Sequence, residues 1–237
     1  MIKNLSILLP HSDDELFALP LINQKINEGW KINIFFITSD SNSIREEESK
    51  KMLSHFPNVT IHQFGRLNKI NDGNLKNCKE IVESLLEKNS LIQSSDAILT
   101  PVFEGGHVDH DSAFIIGHSI ASKLSKPHYC FSLYNAYETF FVRVSALRAG
   151  PVQGEIETIN FKLSEGHSFL KKVFFYRSQF VILAILFSGL FKIFIMKRKM
   201  EVMKVSSFDP ARKHPGRLFY ENQMKNKIKS LLRLPVK

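Results

Sequence analysis

The chain has 237 residues, 43% of them hydrophobic and 23% charged, which is ordinary for a folded globular protein. Its net charge of +9 favours an anionic partner: nucleic acid, an acidic membrane face or a phosphorylated substrate. The two cysteines, Cys78 and Cys130, belong to no CxxC pair, so a disulfide framework is not implied and a reducing compartment is the default. The first residues lack the parts of a signal peptide, so we expect a cytoplasmic protein.

The first half of the chain alternates strand-like and helix-like segments. Short apolar runs rich in β-branched and aromatic residues predict buried strands over 5–9, 31–38, 59–64 and 97–101. Charged or amphipathic segments predict helices over 14–28, 44–56, 75–88 and 109–125. This order predicts an α/β fold: a three-layer sandwich with a mostly parallel, Rossmann-like sheet and right-handed crossovers. Ligands bind beyond the carboxyl ends of the strands in such a sheet.

The second half of the chain is less regular. We expect further strands over 128–134 and 140–144, and a helix over 165–179. That helix leads into an apolar run, 180–196, and a basic tail, 197–237. We interpret the whole chain, 1–237, as one domain, with the apolar helix and the basic tail as a C-terminal appendage.

Two polar segments follow predicted strands. Residues 10–15 (PHSDDE) come directly after the first strand, and residues 105–111 (GGHVDHD) come soon after the fourth. Both therefore fall where a parallel sheet builds its site. Asp-Asp-Glu at a helix start is usually a cap that complements the helix dipole, and a lone HxDH is weak evidence. The placement of both segments at strand ends is what favours a catalytic function.

A hydrolytic metal site needs about three protein ligands, an open position for water and a separate carboxylate that accepts the water's proton. His11 and Asp14 are three residues apart across a turn, so both can face one ion while Asp13 points elsewhere. One histidine of the second segment would complete the ligand set. A His-His-Asp set suits zinc, and iron(II) is also chemically acceptable.

The two motifs resemble those of a known family. HSDDE is similar to the (A/P)HPDDE motif, and HVDH to the HPDH motif, of the PIG-L/LmbE metal-dependent de-N-acetylases. The resemblance extends over at least residues 5–125 and includes an RxxE pattern at Arg45 and Glu48. A late YRSQ segment, 176–179, is a weaker similarity. The resemblance implies a metal-dependent deacetylase fold and activity.

Carried over by motif, the resemblance makes His11, Asp14 and His110 the metal ligands and Asp13 the general base. It makes His107 the residue that stabilises the oxyanion.

Two further roles follow from the same resemblance. Asp109 would hold the ring of His107, and Arg45 would contact the substrate. Ser12 stands where the family has proline, which costs turn rigidity rather than chemistry. Residues 18, 20 and 21 lack glycines that the family commonly has near the pocket, which leaves the shape of the substrate open.

The apolar run allows three interpretations: a buried or pocket-covering helix, an interfacial helix on an anionic membrane, or a true span. Its 17 residues would extend only about 25 Å, short of a hydrocarbon core of roughly 30 Å. An interfacial helix would suit a lipid- or phosphate-linked sugar and attachment to the inner face of the membrane. We find no nucleic-acid-binding motif and expect no nucleic-acid partner.

The sequence thus predicts hydrolysis of the acetamide of an N-acetylated amino sugar in a glycan, glycolipid or glycoside, with Zn²⁺ or Fe²⁺ as cofactor. One alternative substrate is a small thiol-precursor glycoside. An alternative of another class is a catalytically silent sugar-binding or membrane-attached accessory protein.

Overall fold

A computed structural model describes residues 3–135, 143–147 and 150–209. The strands of the first half are β1 (Asn4–Leu9), β2 (Lys31–Phe36), β3 (Val59–His62) and β4 (Ala97–Pro101). The helices there are α1 (Leu19–Asn27), α2 (Ile44–Leu53), α3 (Phe64–Leu67), α4 (Lys79–Glu87), α5 (Ser90–Gln93) and α6 (Val108–Lys123). Short 3-10 segments, Asp14–Ala18 and Leu75–Cys78, precede α1 and α4.

The second half contributes both strands and helices. Its strands are β5 (His128–Phe131), β6 (Tyr134–Asn135), β7 (Arg143–Val144), β8 (Val152–Asn160) and β9 (Lys199–Phe208). Its helices are α7 (Leu163–Lys172) and α8 (Phe180–Phe191), joined by the 3-10 segments Val173–Phe175 and Arg177–Gln179. A π-helical turn, Lys192–Lys197, follows α8.

Seven of the described strands form one sheet in the order β3-β2-β1-β4-β5-β9-β8. Strands β1 to β5 run parallel, while β9 pairs antiparallel with both β5 and β8. In the register, Ile7 of β1 lies opposite Ile34 of β2 and Leu99 of β4. The predicted α/β fold with a mostly parallel, helix-flanked sheet is confirmed.

The sheet has a hydrophobic core on each face. Side chains alternate along a strand, so Ile7 and Leu9 face a core that α1, α7 and α8 complete, whereas Leu8 faces a core formed with α4 and α6. Burial on both faces is the physical reason that β1 reads as a continuous apolar run.

The C-terminal region differs from the expectation. We assigned residues 197–237 to an appended tail, but Lys199–Phe208 form β9 inside the sheet. Met200, Val202 and Met203 are buried, but Lys199, Glu201 and Lys204 stand among them in the sequence, so the strand was interpreted as part of a basic tail. The predicted strand 140–144 is described only at Arg143–Val144; residues 140–142 lie outside the described part.

The strand order reverses direction at β1. The chain moves outward from β1 to β2 and β3, then returns to place β4 on the other side of β1. The carboxyl ends of β1 and β4 therefore flank the crevice in which doubly wound sheets bind their ligands. Both sequence motifs follow these two strands.

Candidate active site

The turn after β1 brings the first motif into a strained conformation. Asp13 has φ 127° and ψ −22°, a region that side-chain-bearing residues rarely adopt. Its backbone N–H donates to Glu15 Oε2 at 2.8 Å. Glu15 is fully buried and its other oxygen accepts from Ser49 Oγ and Tyr176 OH. This buried carboxylate thus holds the turn that presents Asp13.

The loop after β4 brings in the second motif. Asp111 accepts from the N–H groups of Glu104 and Gly105 at 3.0 and 3.1 Å and closes the loop onto the start of α6. Gly106 passes so near Tyr134 that a Cβ would lie 2.1 Å from the Tyr134 carbonyl oxygen. His107 caps α6, because its Nδ1 accepts from Asp109 N–H at 3.1 Å.

The two loops converge on the carboxylate of Asp14. One oxygen, Oδ2, lies 3.3 Å from His11 Nδ1, and the other, Oδ1, lies 3.2 Å from His110 Nε2. Ligands at about 2.0–2.2 Å from a tetrahedral ion are roughly 3.3–3.5 Å apart, so both contacts have the spacing of neighbouring ligands. His110 Nε2 is buried without a hydrogen-bond partner among the described residues, as a nitrogen reserved for an ion would be.

His107 lies beside the same cluster. One ring nitrogen from each of His11, His107 and His110 lies within 4.8 Å of the other two, so three histidines are also a geometrically acceptable set. The hydrogen bond of His107 bears on this choice. Since Nδ1 accepts a backbone N–H, the neutral ring carries its proton on Nε2. That nitrogen can donate a hydrogen bond but cannot at the same time ligate a metal.

The contact of Asp109 differs from the expected one. Its carboxylate does not hold the ring of His107; Oδ2 accepts from His11 Nε2 at 3.0 Å. Asp109 also accepts from the N–H groups of Gly73 and Leu75, at 2.6 and 3.2 Å. A carboxylate that accepts a hydrogen bond from one ring nitrogen of a histidine fixes the tautomer of the ring. The other nitrogen, here Nδ1, is then free to bind a metal.

The charges of the site suit a cation between the histidines. Burial lowers the pKa of His11, but Asp14 and Asp109 outweigh it and raise the pKa to about 10. Burial raises the pKa of Asp14, but His110 and His11 reverse this and hold it well below its usual range. Without a metal, the site therefore retains a positive charge on His11 beside an ionised Asp14. A divalent ion supplies that positive charge directly.

Asp13 and His107 have the opposite tendencies. Burial raises the pKa of Asp13 from 3.8 to about 8, although the nearby Arg45 guanidinium lowers it. Burial lowers the pKa of the His107 imidazole well below its usual range, and His11 and His110 lower it further. Asp13 is thus poised to accept a proton near neutral pH, whereas His107 is neutral.

Arg45 lies on the rim of the site. Its guanidinium is 3.7 Å from Asp13 Oδ2 and also pairs with Asp72. Its side chain is only 12% exposed. The position agrees with a role near the substrate, but the contacts in the structure are to carboxylates of the site itself.

All seven predicted site residues lie together. Six of them line one cavity of about 170 Å³. The seventh, Asp109, is not in the cavity lining and is hydrogen-bonded to His11. The other lining residues are Phe17, Asp72, Tyr134, Gln179, Ile182, Leu183 and Leu186.

The sequence interpretation missed Asp72 and Tyr134. Tyr134 follows β5, and the strand-end rule could have found it, because β5 is the next parallel strand after β4. Asp72 lies in a loop without a recognisable motif, so no signal in the sequence indicated it.

Comparison with known proteins gives one family-model match and a set of similar folds. Residues 6–121 match the family model described as PIG-L: GlcNAc-PI de-N-acetylase. No curated protein matches the chain. Twenty-four solved chains resemble it in structure.

Three of these structures show the range of the likeness. A deacetylase of teicoplanin biosynthesis, in a complex named deacetylase-bog, is 15% identical, covers 88% of this chain and 100% of its own, and has a TM-score of 0.66. The N,N'-diacetylchitobiose deacetylase of Pyrococcus horikoshii is 15% identical, covers 92% and 85%, and has a TM-score of 0.56. The 4-carboxy-2-hydroxymuconate hydratase of Pseudomonas putida is 10% identical, covers 90% and 99%, and scores 0.51.

The chain therefore has the same α/β fold as these deacetylase structures, with a mostly parallel seven-stranded sheet. Residues 6–121 match the PIG-L family model, which confirms the resemblance over that segment of the chain. The hydratase with the same fold shows that the fold alone does not specify a reaction.

Proposed function

We propose that this protein is a metal-dependent N-deacetylase that hydrolyses the acetamide of an N-acetylated amino sugar to acetate and a free amine. The observation that carries the proposal is Asp14, with one oxygen toward His11 and the other toward His110, in a cavity that also holds the non-ligand carboxylate of Asp13. A family domain described by GlcNAc-PI de-N-acetylation, and deacetylases among the similar structures, support the same activity.

His11, Asp14 and His110 would hold the metal, for which zinc is our first choice and iron(II) the second. The ion would polarise the acetyl carbonyl and lower the pKa of a bound water. The tautomer of His107 supports this set over three histidines, since His107 Nε2 carries a proton. Asp109 supports it too, because it fixes His11 with Nδ1 facing Asp14.

Asp13 would act as the general base. Its carboxylate lines the cavity 3.7 Å from the Arg45 guanidinium, and its raised pKa suits proton acceptance near neutrality. It would take the proton of the attacking water and then deliver it to the leaving nitrogen. The strained backbone at Asp13, which Glu15 holds through the Asp13 N–H, supports a catalytic rather than a capping role.

His107 would stabilise the oxyanion. A neutral imidazole with its proton on Nε2 offers one hydrogen bond to the oxygen that gains negative charge. The role predicted for His107 therefore does not need a positive charge on its ring. Arg45 would keep Asp13 oriented and, as predicted from the motif, contact the substrate at the rim.

The N-acetylated sugar can belong to a glycan, a glycolipid, a glycoside or a small thiol-precursor glycoside. The cavity supports a substrate that presents its acetamido group through an opening lined on one side by Ile182, Leu183 and Leu186. A catalytically silent accessory protein would have no use for a strained Asp13 that lines the cavity. We place the protein in the cytoplasm.

Acetate release tests the proposal. The zinc-loaded and iron(II)-loaded proteins are assayed on N-acetylglucosamine, diacetylchitobiose, an N-acetylglucosaminyl phospholipid and a thiol-precursor glycoside. We expect stoichiometric acetate and amine from at least one of them, abolished by a chelator and restored by the metal. Acetate release that a chelator leaves unchanged would contradict metal dependence, and sugar binding without turnover would favour the accessory protein.

A further inference from the structure

One face of α8 and its flanking turns is apolar and exposed. The helical run Arg177–Lys197 is long and apolar enough to cross a membrane, by length and composition only. In the structure, 28% of its most apolar 18-residue stretch is buried inside the protein. The exposed apolar side chains are Phe174, Phe180, Val181, Ile182, Ile185, Phe191 and Met196, each 41–67% exposed. A surface helix of a globular protein normally has polar residues on its outer face. A continuous apolar face of this kind marks an interaction surface.

The opposite face of α8 is fixed to the protein. Leu183, Leu186 and Leu190 are buried in the core of the sheet. Gly189 packs so closely on Val144 that a Cβ would lie 2.5 Å from the Val144 side chain. A span would have to remove these residues from the core. The helix is therefore one that can lie on a bilayer, with its inner face on the protein and its outer face free.

The segment of the chain that carries this apolar face is basic, and one acidic side chain, Glu48 of α2, contacts it through Ser178. Between Glu165 and Glu201 the sequence has no acidic residue. It has seven basic ones there: Lys171, Lys172, Arg177, Lys192, Lys197, Arg198 and Lys199. Residues 166–237 contain 16 basic and 3 acidic residues, whereas residues 1–165 contain 16 basic and 20 acidic ones. The positive charge of the protein thus belongs to the region that carries the apolar face.

This charge argues against two other ways of covering the face. A symmetric dimer through α8 would place the same basic residues against one another. Residues 210–237 have eight basic residues and one acidic residue, so folding them over α8 would also oppose like charges. An apolar face with a basic border is complementary to a bilayer that contains anionic lipids.

We propose that the exposed face of α8, with its basic border, docks the protein onto the surface of an anionic lipid bilayer. Ile182, Leu183 and Leu186 of the same helix line the cavity of the candidate active site. A separate apolar groove of about 470 Å³, lined by Phe174, Phe180, Leu183 and Phe187 among others, shares Leu183 with that cavity. Docking would therefore place the helix that forms one wall of the candidate active site on the lipid surface. The docking itself does not depend on the deacetylase activity.

Vesicle flotation with the purified full chain tests the proposal. The vesicles are phosphatidylcholine alone or phosphatidylcholine with phosphatidylglycerol, each at about 0.01 M and about 1 M ionic strength, where the Debye lengths are roughly 30 and 3 Å. The variant is Val181→Glu with Ile185→Glu, two side chains 45% and 54% exposed that line neither cavity.

The matched control is Ile81→Glu with Leu85→Glu on α4, which packs on the other face of the sheet. These side chains have the same i, i+4 spacing and are 64% and 42% exposed, so the control adds the same charge. We expect wild type and control to float with anionic vesicles at low salt, and the α8 variant to lose at least about tenfold in partitioning.

High salt should release the wild type, and its circular dichroism should match that of both variants. Four results would overturn the proposal: no binding to anionic vesicles at low salt, equal loss in the control, release only by detergent, or binding to DNA that the α8 variant retains while vesicle binding is absent. The assay contains no sugar, so a protein without deacetylase activity can still pass it.

Discussion

At the scale of single residues, hydrogen bonds separate roles that the motifs leave ambiguous. Two histidines of HVDH look equivalent in the sequence. In the structure His107 Nδ1 is used by the backbone of α6, whereas His110 Nε2 has no hydrogen-bond partner among the described residues and faces Asp14. The motif could predict that both histidines lie in the site. Only the geometry of the helix cap indicates which of them is free to ligate.

We predict that His110→Ala loses its metal and that His107→Ala keeps it. A missing ligand leaves only two protein groups on the ion, whereas a missing hydrogen-bond donor affects charge that exists only in the transition state. Metal content is measured by elemental analysis after gel filtration, with kcat of the reloaded proteins measured in parallel. His107→Ala should lower kcat by about 10²–10³-fold. The reverse pattern of metal loss would exchange the roles of the two histidines.

The activity should have an acidic limb that belongs to Asp13. The base must be ionised, so kcat/KM rises with pH through the Asp13 pKa, which burial raises from 3.8 to about 8 in the metal-free site. A bound cation favours the ionised form, so we expect the limb between these two values.

Arg45 lowers the pKa of Asp13, so Arg45→Gln should move this limb to higher pH. Full pH profiles of kcat/KM measure the shift. An unmoved limb with a raised KM would instead assign Arg45 to substrate binding alone.

At the scale of elements, the strands of the first half follow from their apolar runs, and the motifs are placed correctly because both follow strands. The helix predicted over 165–179 is found only in part, because the helix in the structure spans Leu163–Lys172. It stops at Lys172, and 3-10 segments then carry Tyr176 into the core, where the side chain is 1% exposed. The reason is a contact distant in sequence: Tyr176 OH donates to Glu15, 161 residues earlier. No local periodicity encodes such a contact.

The hydrogen bond from Tyr176 to Glu15 can be tested by mutation. Tyr176→Phe leaves the buried Glu15 with one donor fewer, so we expect a loss of about 1–3 kcal/mol in the free energy of unfolding. Because Glu15 also holds the N–H of Asp13, kcat should fall while KM changes little.

Urea unfolding and steady-state kinetics measure the two effects of Tyr176→Phe. Tyr129→Phe, in β5 and outside the site, is the control. Equal losses in both variants would mean that Tyr176 contributes only packing.

At the scale of the whole molecule, the sheet order joins distant segments at one crevice. Strands β8 and β9 were not predicted. Polar and charged residues interrupt the apolar ones in both strands, and β9 was interpreted as part of the basic tail. In the structure β9 lies between β5 and β8. Of the three arrangements expected for the apolar run 180–196, α8 has the pocket-lining one, and its exposed apolar face is the basis of the membrane docking that we propose.

Metal binding should stabilise the fold as a whole. An ion that binds only the folded chain adds about 2.7 kcal/mol of stability at 100 times its Kd. We therefore expect zinc to raise the Tm of the wild type by several degrees, and a chelator to reverse this. His110→Ala should show no such rise in a thermal scan. A zinc-dependent Tm that persists in His110→Ala would place the ion elsewhere.

The central claim is that Asp13 does the proton transfer of a metal-dependent deacetylation at this site. The most direct test is acetate release by wild type and Asp13→Asn, both loaded with zinc to the same measured stoichiometry. An amide cannot accept the water's proton, so the account predicts equal metal and a rate about 10²–10⁴-fold lower in the variant. Asp13→Asn that turns over at the wild-type rate with its metal in place would contradict the account.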